Sequence, residues 1–200
     1  MDKDKLDKMK QQFEFIQEID QEKNIYRQSY IADASRREND AEHAWHTAVM
    51  AILLSEYANE QIDVLKTVTM LLLHDLVEID AGDTYAYDEE GKKTQREREE
   101  KAADRIYALL PNEQGEKLRQ LWEEFEARKT PEAKFARVMD NLQPMMLNAV
   151  TGGKSWMEHE TEISQILARN KYTPDGSKEL WEYAKKHWID VNVNNGTIRS

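Results

Sequence analysis

An abrupt change from apolar to ionisable residues constrains the fold of this chain more than any other feature of its sequence. Leucines at positions 71–73 predict the buried end of a helix, and His74 and Asp75 follow them directly. Buried histidine and aspartate side chains are costly unless they pair with other groups or bind a metal ion. In a continuing helix, Glu78 would lie one turn beyond His74 on the same face. The segment therefore predicts either a paired polar cluster or a site.

The same segment closes on a further carboxylate. Gly82 is typical of a residue that ends a helix, and Asp83 comes just after it. Several acid, base or ligand groups thus converge where an apolar helix ends. An isolated His–Asp pair of this kind is more often a solvated helix end than a site. The interpretation therefore depends on whether other helices carry matching groups.

A second helix carries two histidines in its first turn. Apolar spacing predicts this helix over residues 41–58, with Asn39 or Asp40 as its N-cap. His43 and His46 are three residues apart and share a face of it. Because the helix dipole disfavours cations at a helix N-terminus, we expect these histidines to be neutral and of the ligand type.

A third helix carries a buried aspartate. Apolar spacing predicts this helix over residues 132–150, and Asp140 lies in a stripe that includes Phe135, Met139 and Leu142. Aspartate is rarely buried without a partner. Asp140 is therefore a third polar anomaly on an apolar helix.

The pattern along the whole chain is helical. The predicted helices cover residues 5–20, 41–58, 64–79, 95–110, 113–128, 132–150, a stretch after Trp156, and 177–193. No segment shows convincing strand alternation, and no repeat or linker marks a second domain. The sequence predicts an all-α fold in a single domain over residues 1–200. Its core is expected over about 20–150, with C-terminal helices at 156–193 packed on it.

Charge and composition limit the partners. The 28 basic and 39 acidic side chains give a net charge of −11, which disfavours nucleic-acid polymers and anionic membranes. The chain has no cysteine, so any metal must be bound by His, Asp or Glu. With no apolar signal core and no run of about 18 apolar residues, a cytoplasmic protein is expected. An apolar stripe on the first helix, formed by Leu6, Met9, Phe13, Ile16 and Ile19, allows a homodimer.

The polar anomalies together form a plausible metal-binding set. Two imidazoles and two carboxylates come from three helices that a compact bundle can bring together: His43, His74, Asp75 and Asp140. Two nitrogen and two oxygen ligands with open positions suit Mn²⁺, Fe²⁺, Co²⁺ or Zn²⁺. The alternative, that each group has an unrelated buried partner, requires several coincidences. We therefore predict one divalent metal ion as the cofactor.

The order of these residues resembles the HD-domain metal-dependent phosphohydrolases, and within them the bacterial 5′-deoxynucleotidase branch. The motifs that carry the resemblance span about residues 20–150 and are Glu42-His43, His74-Asp75-x-x-Glu78, Gly82-Asp83 and the distal Asp140. The segment from Thr151 to His159 is also similar to the bacterial members. The resemblance implies an HD-type helical bundle.

The resemblance also implies roles for individual residues. His43, His74, Asp75 and Asp140 would bind one metal ion, while Glu78 and Asp83 would be the catalytic carboxylates beside the water and the leaving group. Arg27 matches the arginine that holds the substrate, although Gln28 stands where the family has a tryptophan. Arg36 could assist in clamping the phosphate. His46 is additional to the pattern and is equally a candidate for facing the phosphate or for packing.

The function implied is hydrolysis of a phosphomonoester. Dinuclear HD enzymes add histidines between the His–Asp pair and the distal Asp, and none lies between positions 75 and 140. A mononuclear site with one upstream arginine suits a terminal phosphomonoester, and the acidic surface favours a small substrate over a polymer. The resemblance implies a deoxyribonucleoside 5′-monophosphate. A non-catalytic helical module that senses a metal or nucleotide, and an HD phosphodiesterase, are the alternatives.

Overall fold

Helices form most of the chain, as the apolar spacing predicted. The computed structural model describes residues 2–199, apart from the side chain of Glu89. The α-helices in chain order are α1 (Lys3–Glu18), α2 (Asp40–Leu54), α3 (Val64–Leu73), α4 (Glu78–Ala81), α5 (Glu89–Tyr107), α6 (Asn112–Ala127), α7 (Pro131–Val150), α8 (Lys154–Glu158), α9 (Ile163–Arg169), α10 (Thr173–Gly176), α11 (Lys178–Ala184) and α12 (Asp190–Asn194). The all-α prediction is confirmed, with one small exception.

The exception is an antiparallel hairpin that the sequence analysis missed. Strands β1 (Tyr26–Tyr30) and β2 (Arg37–Asn39) pair just before α2. Burial does alternate along β1, but its buried side chains belong to Arg27 and Ser29 rather than to apolar residues. A search for alternating hydrophobicity therefore finds no signal in this strand.

Two apolar clusters form the core, and the His–Asp pair lies between them. The first cluster joins α2, α3 and α7 to the C-terminal helices and contains Leu71, Phe135 and Leu142. The second lies under α5 and α6 and contains Leu73 and Leu76. Leu71 and Leu73, two residues apart at the end of α3, thus belong to different clusters. The polar residues that follow Leu73 are held at the boundary between the two.

Helix α3 ends at Leu73, so the prediction of one helix over residues 64–79 was wrong. His74 Nδ1 lies 2.7 Å from the carbonyl oxygen of Leu71, where it donates a hydrogen bond within the last turn. The chain then tightens into three-residue turns, with Glu78 N donating to Asp75 O at 2.8 Å, before α4 begins at Glu78. A side-chain hydrogen bond that competes with the backbone ladder explains why periodicity did not find this end.

Other boundaries differ from the predictions in ways that caps explain. The Asn39–Glu42 capping box at the start of α2 is present as expected. Helix α5 begins at Glu89 rather than at 95, because the Asp88 side chain accepts hydrogen bonds from the backbone N–H groups of Glu90 and Gly91. The connection between the helices predicted over residues 64–79 and 95–110 is correspondingly shorter than expected.

The apolar stripe of α1 does not face the core. Phe13 and Ile16 are 57% and 55% exposed, whereas Phe15 is buried in the second cluster. The homodimer expected from this stripe stays a prediction, as does the single domain over residues 1–200. Met1 and Ser200, its predicted ends, lie outside the described residues. Within residues 2–199 no helix is long and apolar enough to span a bilayer.

The contact between α5 and α6 provides a test of this packing. A Cβ atom at Gly115 would collide with the backbone carbonyl oxygen of Tyr107. Alanine normally stabilises a helix by about 1 kcal/mol relative to glycine, but overpacking typically costs about 1–3 kcal/mol. We expect Gly115→Ala to lower the free energy of unfolding in urea, while the exposed Lys117→Ala on the same helix changes it little. A stabilised Gly115→Ala would contradict this close approach.

Candidate metal centre

The four predicted ligands converge where three helices meet. His43 lies in the first turn of α2, His74 and Asp75 follow α3, and Asp140 lies in the middle of α7. All four are buried, and the structure brings together every residue of this predicted set. The capping box at Asn39 fixes where α2 begins, and it thereby places His43 on the inner face.

The distances within the cluster fit ligands of a single ion. His43 Nε2 lies 3.1 Å and His74 Nε2 3.6 Å from Asp140 Oδ1, and His74 Nε2 lies 3.1 Å from Asp75 Oδ2. Ligand atoms about 2.1 Å from an ion lie about 3.0 Å apart at a right angle and about 3.4 Å apart at the tetrahedral angle. Such a set can therefore hold a divalent cation with little movement.

Hydrogen bonds orient both imidazoles so that Nε2 faces the cluster. His43 Nδ1 lies 2.9 Å from the Oε1 atom of Gln143, as His74 Nδ1 does from the Leu71 carbonyl at 2.7 Å. Both partners accept hydrogen bonds, so each Nδ1 carries a proton, and in its neutral form each imidazole presents the lone pair of Nε2 to the cluster. The buried Nε2 of His74 has no aligned hydrogen-bond partner, although Asp75 is near. A buried nitrogen that lacks a hydrogen-bond partner in this way is available to coordinate a metal ion.

The electrostatics of the cluster also favour a cation. Burial, reinforced by the nearby Arg27, lowers the pKa of His43 to about 4, so its imidazole is neutral. Burial alone would lower the pKa of His74, but Asp75 and Asp140 raise it to about 10. A proton at His74 thus occupies the position that the carboxylates make favourable for positive charge. Metal binding would displace that proton.

A second group of carboxylates adjoins the ligands, and one of them was missed. Fully buried Asp40 lies at the start of α2, and its carboxylate oxygen lies within 4.8 Å of oxygens of Asp75 and Glu78. Burial and the charge of Asp75 raise the pKa of Asp40 to about 7. Burial, Asp75 and Asp40 hold the pKa of Glu78 well above its usual range. In the sequence Asp40 was read only as a possible helix cap.

Arg27 neutralises part of this charge. It lies on β1, and its Nη1 donates to Asp75 Oδ2 at 2.7 Å and to Asp40 Oδ1 at 3.1 Å. The predicted substrate-binding arginine therefore contacts a metal ligand directly. The hairpin positions this side chain, since Arg27 is one of the buried residues of β1.

Two further supporting residues were also missed. Oε1 of Gln143 accepts a hydrogen bond from His43 Nδ1–H, and Nε2 of Gln143 donates to Glu38 Oε2 at 2.7 Å. Arg137 donates from Nη1 to Asp140 Oδ2 at 2.8 Å, and its guanidinium lies 4.3 Å from the centre of the Phe125 ring. The spacing of three residues between Arg137 and Asp140 on one helix was a signal that could have identified this pair.

Two predicted substrate-binding residues lie away from the cluster. His46 is half-buried, and its Nδ1 lies 3.2 Å from Nε2 of Gln143. It is therefore connected to His43 through the Gln143 side chain. Arg36 is exposed and forms a two-point ion pair with Glu42 at the start of α2. Their predicted contacts with substrate stay predictions.

Two connected cavities reach the site. One, of about 290 Å³, is lined by His74, Asp75, Glu78 and Asp140. The other, of about 80 Å³, is lined by the aromatic residues Tyr85, Tyr87 and Trp156 and by several amides. Arg27 and Asp83 line both, and the loop between α4 and α5 forms part of each wall. Burial raises the pKa of Asp83 at this junction.

The fold and the His/Asp cluster define a class of helical proteins with a buried metal centre, and comparison with known families identifies which one. The family model described as "HD domain" matches residues 19–181. The chain belongs to the HD-domain family.

Relatives of known name support this assignment. The human 5′-deoxynucleotidase HDDC2 is 31% identical over 137 residues, which are 68% of this chain and 65% of that protein. The same-named protein of Dictyostelium discoideum is 30% identical over 131 residues, 63% of this chain and 68% of the relative. The chain therefore spans slightly less than two thirds of the human relative.

Solved structures share the fold. A Magnetospirillum magnetotacticum structure described as a predicted metal-dependent phosphohydrolase superposes with a TM-score of 0.92 at 44% identity, covering 96% of each chain. An HD-domain phosphohydrolase from Listeria innocua has a TM-score of 0.58 at 17% identity, covering 91% of this chain and 85% of that one. The latter likeness concerns the fold alone.

Metal binding should contribute measurably to stability. A ligand that binds only the native state stabilises it by about 2.7 kcal/mol at 100 times its dissociation constant. We expect a chelator to lower the melting temperature of the metal-loaded protein by several degrees. Asp140→Asn should bind little metal and show no such shift, while the exposed Asp190→Asn behaves like the parent protein. Calorimetry with metal analysis checks this, and a chelator without effect on the parent protein would contradict the site.

Proposed function

We propose that the protein is a metal-dependent phosphohydrolase that converts deoxyribonucleoside 5′-monophosphates to nucleoside and phosphate. The observation that carries the proposal is that His74, Asp75 and Asp140 line one cavity with Glu78 and Asp83, while His43 Nε2 lies behind them, 3.1 Å from Asp140 Oδ1. The 5′-deoxynucleotidase name of the HDDC2 relatives and the phosphohydrolase description of the Magnetospirillum structure support the reaction type.

The cluster would hold one divalent ion, with manganese, cobalt, iron and zinc all compatible with its donors. Such an ion supplies Lewis-acid polarisation of a phosphoryl oxygen and a more acidic water. The residues around it set the geometry. Gln143 and the Leu71 carbonyl fix the two imidazoles, and Arg27 and Arg137 each hold one of the aspartates. The ligands are thus oriented before any substrate binds.

Glu78 and Asp83 would divide the proton transfers. Glu78 lines only the larger cavity and lies against Asp40, a position suited to orienting the attacking water. Asp83 lines both cavities, so it faces the bond between phosphate and nucleoside, where it would protonate the leaving 5′-oxygen. Burial raises the pKa of both carboxyl groups, which favours the protonated form that a proton donor needs.

The smaller cavity would take the nucleoside. Trp156 lines this cavity and is available for base stacking, whereas Trp45 is 63% exposed and Tyr30 donates its hydroxyl to Glu158. Asn148 donates its amide to the Pro144 carbonyl at 3.0 Å, which leaves its buried Oδ1 without a partner. That oxygen would accept a hydrogen bond from a sugar or base.

Substituting Glu78 tests the proposed division of roles. Glu78→Gln keeps the size of the side chain but cannot exchange a proton, so turnover of a deoxynucleoside monophosphate should fall by roughly 10²–10⁴-fold. Metal content, measured by elemental analysis, should stay normal. The exposed Glu100→Gln on α5 serves as the control with unchanged turnover. Loss of metal in Glu78→Gln would instead make Glu78 a ligand.

A screen of phosphate release tests the substrate class. The metal-loaded protein should release phosphate from deoxyribonucleoside 5′-monophosphates faster than from ribonucleotides, and faster than it cleaves a diester. Efficient cleavage of a diester without monoesterase activity would favour the phosphodiesterase alternative. Nucleotide binding without any hydrolysis would favour the sensor module.

A further inference from the structure

Several basic residues line the 290 Å³ cavity at the predicted metal-binding residues. Arg128, Arg137 and Arg169 line this cavity together with the metal-binding residues. The same three line an adjoining outer cavity of about 530 Å³. None of the described residues that line the outer cavity is acidic, so in a chain of net charge −11 these guanidinium groups are a marked local excess of positive charge there.

Two of these arginines have no acidic partner. Arg137 is held by Asp140 and Glu126, at 2.8 and 2.9 Å. The guanidinium groups of Arg128 and Arg169, by contrast, form no hydrogen bond or ion pair with any described side chain of residues 2–199. The pKa of Arg128 is lowered, first by the charge of Arg137 and then by burial. Arg128 and Arg169 are both exposed, so an anion from solvent can reach their guanidinium groups.

Arg27 is less able to bind an anion, because its guanidinium group is already engaged. Its Nη1 is engaged by Asp75 and Asp40, and its Nε lies 3.9 Å from Glu38. A phosphoryl group placed over the metal ligands would therefore need other donors for the oxygens that face outward. Arg169 is well placed to supply them, because it also lines the smaller cavity and its charge acts to lower the pKa of Asp83 at the junction.

We propose that Arg128 and Arg169 form an anion subsite that binds the outward-facing oxygens of the substrate's phosphoryl group. This inference rests on the proposed function. A dianionic monoester has three non-bridging oxygens, so it can contact the metal centre and the arginines at once. A diester has one fewer free oxygen and one charge fewer. The subsite would thus select phosphomonoesters, since guanidinium groups bind such oxygens in pairs.

The experiment uses inorganic phosphate as the probe and isothermal calorimetry on the metal-loaded protein. Arg128→Gln and Arg169→Gln should each weaken phosphate binding by roughly 10- to 100-fold, the range expected for loss of a charge-assisted hydrogen bond. Lys129→Gln and Lys171→Gln are matched controls: each removes one positive charge from the neighbouring position, and neither side chain lines the cavity. They should change the affinity by no more than about twofold.

Activity separates failure of this subsite from failure of the proposed reaction. If the parent protein hydrolyses monophosphates, the arginine variants should raise KM while the lysine variants leave it unchanged. If it hydrolyses none, but phosphate binding still weakens only in the arginine variants, the subsite stands and the reaction is wrong. Equal phosphate affinity in the arginine and lysine variants would overturn the subsite in either case.

Discussion

Buried negative charge in excess of buried positive charge is the constraint on which the rest of this structure depends. Asp40, Asp75, Glu78 and Asp140 lie in the core. Arg27 contacts Asp40 and Asp75, and Arg137 contacts Asp140. An uncompensated buried charge costs several kcal/mol, a large part of the stability of a typical domain. Protonation relieves part of the excess, because the pKa values of Asp40 and Glu78 are raised. A divalent cation would relieve the remainder.

This charge excess explains why the supporting elements are arranged as they are. The hairpin carries Arg27 into the interior, where one guanidinium group joins the start of α2 to the residue after α3. Arg137 holds Asp140 from within α7 and is itself covered by the Phe125 ring. Each aspartate of the cluster is therefore fixed by one arginine, and each imidazole by one acceptor. Loss of any one of these contacts would leave a charged or polar group buried without its partner.

The sequence predicted the centre of the site better than its surroundings. His43, His74 and Asp140 were identifiable because each is a polar residue on an apolar helix, and one-dimensional periodicity detects such exceptions. Asp40 was not identified as part of the site, because an acidic residue before a helix is normally explained as an N-cap. The end of α3 depends on a side-chain hydrogen bond from His74 to a backbone carbonyl, which spacing does not encode. The pairing of Arg27 with Asp75 joins residues 48 positions apart, so only the tertiary fold reveals it.

The cavity at the metal-binding residues and the outer cavity differ in charge, and this contrast bears on how an acidic protein could accept an anionic substrate. The mean field of the surface repels phosphates, but within a cleft the local charges dominate because they are less screened than exposed ones. Acidic residues line the cavity at the metal-binding residues, while Arg128 and Arg169 line both that cavity and the outer one. A phosphate entering from outside would meet these guanidinium groups before it reaches the metal centre. An anion would thus be attracted first by the guanidinium groups and then by a cation bound at the cluster. A uniformly acidic cleft would offer neither attraction.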